Sequence, residues 1–213
     1  PVSLMLGLGA LVCALLLGLS IGIVAGLKPG GYLDTLLMAV SNLNIAVPTI
    51  VAAPLMVLLF SVTLSWFPGG GADTWWHFVL PALALGLPLS AEIARIMRGG
   101  IAETNLEPFV KTAKAKGLKS PRIVFLHLLP AASIPLLSFL GPAMAGLLTG
   151  SVVAEQIFDL PGIGRYYVQG ALNRDYTLVM GVTIVYSFAI LSFNLLVDVA
   201  YGLIDPRIRV AQT

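Results

Sequence analysis

The 213-residue chain has twelve basic and ten acidic residues, so only 10% of its positions are charged, while 58% are hydrophobic and the mean hydropathy is +0.95. Soluble domains carry about 25% charged residues, and a chain this apolar cannot clothe a water-facing surface, which excludes a soluble globular fold. Disorder requires few apolar residues and many charges, and is excluded with it.

The charges are clumped. Residues 1–90 carry only Lys28, Asp34 and Asp73, and the rest fall in 92–122, 155–175 and 198–209. The apolar stretches between them are long enough for helices of the roughly 20 residues that cross a bilayer. Five spans are predicted, starting with 3–27. The second falls within 35–67, with 45–66 as its core. The third is 76–97, with Glu92 and Arg95 near its end; the fourth falls within 123–154, and the fifth is 176–197. The second and fourth windows exceed what a crossing needs, so tilt, kinks or a re-entrant piece must absorb the excess. Helices are required because lipid offers backbone amides no partner. The single cysteine, Cys13, lies in an apolar run and leaves no intrachain disulfide to form.

Lysine and arginine set the direction. Alternating loops place Lys28, Arg95, Arg98, Lys111, Lys114, Lys116, Lys119, Arg122, Arg207 and Arg209 on one side, and only Arg165 and Arg174 on the other. The first side, with the carboxyl terminus, is expected to be cytoplasmic. Five spans then put Pro1 outside, so at least one further span is expected upstream, six in the parent. Trp66, Trp75 and Trp76 flank an outer turn containing Pro68, Gly69, Gly70 and Gly71, as interfacial aromatics do.

Within span one, Ala14, Gly18, Gly22 and Gly26 recur every four residues and predict a face for close helix packing. Gly146 and Gly150 predict the same in span four. Prolines 48, 54, 81, 88, 130, 135 and 142 interrupt the spans, each removing a helix hydrogen bond. Polar residues within spans, such as Asn42, Asn44, Ser138, Thr149, Ser151 and Asn194, either line a pathway or bond between helices.

Catalytic signatures are absent: the sequence holds no GxxxxGK[ST], HExxH or GxSxG and no Cys/His cluster, and His77 and His127 are its two histidines. Glu92 reads as the embedded carboxylate, able to pair with Arg95 three residues on, with Asp198 at a membrane edge. Such scarcity of buried ionisable groups disfavours a self-powered carrier, and a membrane enzyme lacks its constellation.

The most informative stretch is 103–130. Glu107 before Pro108 marks a helix start, the lysines 111, 114 and 116 suit the negative helix end, and Gly117 supplies a left-handed stop. Ser120-Pro121 starts the next helix, which becomes span four. The short helix 108–116 presents Phe109, Val110 and Ala113, followed by Leu118, and is too short to be stable alone, so it needs a surface to dock on. From the residues alone, that surface is either a protein or anionic headgroups. His127 is expected about one turn inside span four, at the interface.

This segment resembles the signature loop of ABC-importer membrane subunits: Glu-Ala-Ala, three residues, Gly, nine residues, then Ile-x-Leu-Pro. Here Lys111-Thr112-Ala113, Gly117 and His127-Leu128-Leu129-Pro130 fill those places. The departures are similar to the Thr-Ala-Lys/Arg-Ala-Lys-Gly-Leu variant of peptide-type permeases. Phe158-Asp159-Leu160-Pro161-Gly162-Ile163-Gly164 and Gly170-Ala171-Leu172-Asn173-Arg174-Asp175-Tyr176 resemble the outer loop of the B-type subunit of oligopeptide importers. Asn194-Leu195-Leu196-Val197-Asp198 and Ile204-Asp205-Pro206-Arg207-Ile208-Arg209 resemble its ending.

The resemblance, to the peptide/nickel-type binding-protein-dependent transport family, covers essentially the whole chain. It implies an all-α polytopic bundle forming one permease domain, 1–213, in the inner membrane of a prokaryote. This would be a non-catalytic pore subunit of an ATP-driven oligopeptide importer, with dipeptides, nickel, glutathione or oligosaccharides as alternative cargo. The coupling region 107–119 would meet an ATPase through Glu107, Phe109, Lys111, Thr112, Ala113, Lys114, Ala115, Lys116 and Gly117, with Pro130 beyond. The outer loop 155–175 would gate the pore or meet the binding protein through Asp159, Gly162, Gly164, Arg165, Tyr166, Asn173, Arg174 and Asp175; a pore-capping interfacial helix is the other reading. Implied partners are a second homologous permease subunit, two cytoplasmic ATPases holding ATP and Mg, an extracytoplasmic substrate-binding protein and membrane lipid. Neither nucleic acid nor any metal or cofactor in this chain is expected.

Overall fold

The computed structural model describes residues 1–204, and the ending Asp205-Pro206-Arg207-Ile208-Arg209 lies outside them. Among the described residues the regular structure is helical throughout. Helix α1 is Val2–Leu27, α2 Tyr32–Ala46 and α3 Thr49–Met56, which runs on as a π-helical segment, Val57–Thr63. After the turn Trp75–Phe78 come α4 Val79–Thr104, α5 Pro108–Ala115 and α6 Ser120–Ile123. A π-helical segment, Val124–Leu128, leads into α7 Leu129–Ala132; then follow α8 Ile134–Ile157, α9 Ile163–Leu172 and α10 Tyr176–Ile204.

Four helices are long and apolar enough to cross a membrane: Val2–Leu27, Trp75–Thr104, Ile134–Ile157 and Tyr176–Val199. The pair Tyr32–Ala46 and Thr49–Thr63, bent by 99°, makes five if counted as one broken span. The core 45–66 is therefore not one helix, and the kink expected within this window falls between Ala46 and Thr49. Pro48 is the cause, because its ring disfavours helical backbone at the preceding residue, and Val47 is extended (φ −93°, ψ 114°). The fourth span also begins later than expected. Ser120-Pro121 does start a helix, but the π-helical segment and an interruption at Ser133 separate it from Ile134. His127 thus lies in that π-helical segment, ahead of the span.

The α1–α4 pair forms the centre of the bundle. A β-carbon at Gly18 would lie 2.6 Å from Ser90 O, one at Gly22 2.7 Å from Ala94 O, and one at Gly26 2.8 Å from Arg98 O. The four-residue repeat is thus the face along which the two backbones approach. Gly146 behaves otherwise: nothing of this chain's described residues stands within 4 Å of its would-be β-carbon, so it makes no close approach to another helix of the same chain.

Two apolar clusters fill the bundle. One joins Leu6, Leu80, Met144, Phe158 and Leu160 near the start of α1; the other joins Ile93, Met97, Ile101, Val110, Ala113, Ile123 and Leu128 near its end. Outside them the surface is apolar: Leu16, Leu43, Ile184, Phe188 and Leu191 are all exposed, as lipid or protein neighbours require.

Candidate functional site at the two ends of the bundle

At the basic end, α5 is built as its residues dictate. Glu107 is the extended N-cap, Pro108 follows at the first helical position, and Thr112 Oγ1 donates to Pro108 O at 3.0 Å. At the other end, Gly117 N donates to Lys114 O and Leu118 N to Ala113 O. This is the Schellman arrangement, which needs a left-handed residue at Gly117, and its φ is +75°. Lys114 Nζ donates to Asn105 Oδ1 at 2.9 Å, tying the helix to the preceding turn.

The structure divides the predicted coupling residues into two faces. Val110 is fully buried and Ala113 nearly so, both packed in the cluster with Ile101 and Ile123. They anchor α5 to its own bundle and do not present themselves to a partner. Outward stand Phe109 (45% exposed), Glu107, Lys111, Thr112, Lys114, Ala115 and Lys116. Leu106, 71% exposed in the turn before α5, joins this face and was missed because it precedes the helix. Pro130 is the second residue of α7, well beyond α5 in the chain, and its carbonyl accepts from Ser133 Oγ.

Behind α5, Arg98 of α4 donates to Asp34 of α2 from Nε (3.0 Å) and Nη2 (2.7 Å), and Gly30 N also donates to Asp34 Oδ2. The expected Glu92–Arg95 pair is not formed. Among the described residues the ion pairs are Asp34–Arg98 and Asp159–Arg165. Arg95 is exposed, while Glu92 lines a cavity.

At the opposite end the stretch expected to be an outer loop, 155–175, is mostly helix. Residues up to Ile157 belong to α8, and α9 begins at Ile163. Glu155 is fully buried, so it joins Asp34 as an embedded carboxylate and Glu92 is not the principal one. Glu155 Oε2 accepts from Gly164 N at 2.8 Å, while Ile163 N donates to Ser3 Oγ at 2.8 Å. The start of α9, whose amides favour negative charge, is thus fastened to α8 and α1. Gly162 and Gly164 lie so close to Glu155 that a β-carbon on either would overlap it; their role is internal packing.

Asp159, with φ +49°, pairs with Arg165 at 2.6 Å on the surface, and Tyr166 is exposed beside them. Asn173 closes α9, Arg174 takes φ +57°, and Asp175 Oδ1 accepts from Leu178 N to cap α10. These three form the turn between the helices. The loop from α3 closes over this region, with Gly71 N donating to Phe158 O at 3.0 Å. Among the polar span residues, Ser151 and Thr149 bond back to their own helix.

Comparison with known proteins gives this architecture its context. Residues 18–210 match the family described as binding-protein-dependent transport system inner membrane component. The oligopeptide transport system permease protein OppB of Haemophilus influenzae is 44% identical over 211 residues, covering 98% of this chain and 69% of its own. OppB of Escherichia coli K12 is 45% identical over 215 residues with the same coverage. The dipeptide transport system permease protein DppB of Bacillus subtilis is 42% identical over 212 residues, covering 98% and 68%. The inward-facing MetNI methionine ABC transporter superposes with a TM-score of 0.78 at 18% identity, covering 95% of this chain and 93% of that one. At that identity the likeness shows the fold. The chain is a polytopic helical membrane protein, and it belongs to the family of binding-protein-dependent transport system inner membrane components.

Proposed function

We propose that this chain is the non-catalytic pore subunit of an ATP-driven importer that carries oligopeptides across the inner membrane, its carboxyl terminus in the cytoplasm. The names of its relatives support a peptide cargo. The assembly would contain a second homologous permease subunit, two cytoplasmic ATPases that bind ATP and Mg, and an extracytoplasmic binding protein. The outer group around Asp159, Arg165 and Tyr166 would meet the binding protein.

One observation carries the reading: α5 is a two-faced helix. Val110 and Ala113 hold it rigidly to the bundle, while Phe109 and Leu106 stand out among lysines. An exposed apolar pair that shares its face with Glu107 and three lysines suits a groove on a protein with a largely acidic rim. A push received there passes through Val110 and Ala113 to Ile101 of α4 and Ile123 of α6, which share their cluster.

The test is reconstitution of the complete complex in proteoliposomes. ATP-dependent uptake of a tetrapeptide is expected, and Phe109→Asp is expected to leave the complex in the membrane while lowering uptake at least about tenfold relative to ATP hydrolysed. Normal coupling in that variant would remove α5 from the role. A dipeptide importer of the same build is the second reading, favoured by the Bacillus relative; uptake of dipeptides with rejection of tetrapeptides would select it.

A further inference from the structure

A cavity of about 350 Å³ opens between α3, α4 and α8. Glu92 lies on its wall near the midpoint of α4. Of the lining side chains, Glu92 and Thr49 alone carry polar atoms; Leu89, Phe139 and Leu147 are typical of the rest. Pro88 and Pro142, one in each long helix, also line it. Neither has an amide hydrogen, so the carbonyls of Ala84 and Ser138 one turn earlier lack their usual donor. Among the described lining side chains the wall therefore offers one carboxylate and one hydroxyl, and among the described residues no cation pairs with Glu92.

An unpaired carboxylate beside one hydroxyl, in an otherwise apolar cavity, suits a compact group that carries positive charge and several N–H bonds. A primary ammonium does both. The volume falls at the lower end of small-ligand pockets, about 300–1,000 Å³, so it suits the end of an extended molecule better than its length. The break at Val47–Pro48 leaves Thr49, the first residue of α3, at the cavity wall, where polar groups at membrane depth serve a passage.

We propose that Glu92 and the cavity around it receive a primary ammonium group of the cargo, a peptide amino terminus or a lysine side chain, as it passes the subunit. This rests on the importer reading and adds a charge preference that resides in this chain. Binding here discriminates by charge because an acetylated amine offers Glu92 no cation and only one N–H.

The test uses the full complex in proteoliposomes with one binding protein throughout, so that protein's own preference cancels when variants are compared. The probes are tetra-alanine, N-acetyl-tetra-alanine and an N-acetylated tetrapeptide containing one lysine. Glu92→Gln is expected to lower kcat/KM for tetra-alanine at least about tenfold, to leave the acetylated peptide within about twofold, and to lower the lysine peptide if side-chain ammonium is also received. Glu92→Asp should retain most of the preference.

Should Glu92→Gln fail to assemble, a Thr49→Cys complex supplies the answer. Tetra-alanine is expected to slow its maleimide labelling at least about fivefold, and the acetylated peptide is not. Equal effects of Glu92→Gln on all three peptides, equal protection by both, or a partner-subunit arginine seated on Glu92 would overturn the proposal while leaving the importer intact. If the wild-type complex takes up no peptide with ATP, the importer reading itself fails, and this one with it.

Discussion

Arg98 grips Asp34 with two parallel hydrogen bonds across 64 residues of sequence, and the two ends of that grip differ in exposure: the carboxylate is 4% exposed and the guanidinium 38%. The fork matches carboxylate geometry and fixes the start of α2 to the part of α4 that leads towards α5. The asymmetry yields a prediction. Arg98→Leu strands a buried carboxylate and should cost about 3–5 kcal/mol. Asp34→Asn leaves a half-solvated cation that water can serve and should cost about 1–2 kcal/mol. The double variant should recover part of the Arg98→Leu loss in a thermal unfolding series in detergent. Equal costs for the two single changes would contradict the asymmetric burial.

Gly22 and Gly146 form a second test, since a sequence pattern treats them alike and the structure does not. Gly22→Ala places a methyl 2.6 Å from Met97 Cβ and 2.7 Å from Ala94 O, forcing α1 and α4 apart at about 1–3 kcal/mol. Gly146→Ala meets nothing within 4 Å. Its helix propensity improves by up to about 1 kcal/mol, so it should be neutral or stabilising. Comparison of unfolding midpoints for the two variants decides the matter.

This contrast marks how far the residues could be read without the fold. Local chemistry was legible: the α5 start at Glu107-Pro108, its stop at Gly117 and the packing stripe on α1 all depend on neighbours within a turn or two. Pro48 was visible too, but the size of the bend depends on what α2 and α3 pack against. Pairings across long separations were not legible. Asp34 could have been noticed as a first-turn acid after Gly30-Gly31, yet nothing local says that Arg98 rather than Lys28 meets it. Glu155 read as a loop charge because it lies among Asp159, Arg165 and Asp175; its burial comes from the return of Gly162 and Gly164 over α8. Val110 and Ala113 read as docking groups because a short amphipathic helix does not reveal whether its apolar face turns to its own chain or to another.

Glu155 gives a third prediction. Its Oε2 is the acceptor for Gly164 N, so Glu155→Ala leaves a buried amide without a partner at about 1–3 kcal/mol. Glu155→Gln keeps a carbonyl acceptor in the same place and should retain most of the fastening. The readout is amide hydrogen exchange at Ile163 and Gly164, accelerated strongly in the alanine variant and weakly in the glutamine one. The reverse order would mean that the negative charge, and not the acceptor, holds α9.

Gly117 separates backbone conformation from side-chain space. Its φ is +75°, and nothing stands within 4 Å of where a β-carbon would be, so any cost of substitution is conformational. Asparagine tolerates left-handed backbone better than most residues, whereas a β-branched residue there is a genuine outlier. Gly117→Asn should therefore keep α5 closed with transport near wild type. Gly117→Val should break the bonds from Gly117 N to Lys114 O and Leu118 N to Ala113 O, fraying the helix from its end. Loss of Leu118 and Ala113 from their cluster then loosens α5 on the bundle, and ATP hydrolysis should continue with uptake reduced at least about fivefold. If the asparagine and valine variants transport equally well, the left-handed stop is dispensable and the rigidity of α5 cannot be what carries the push.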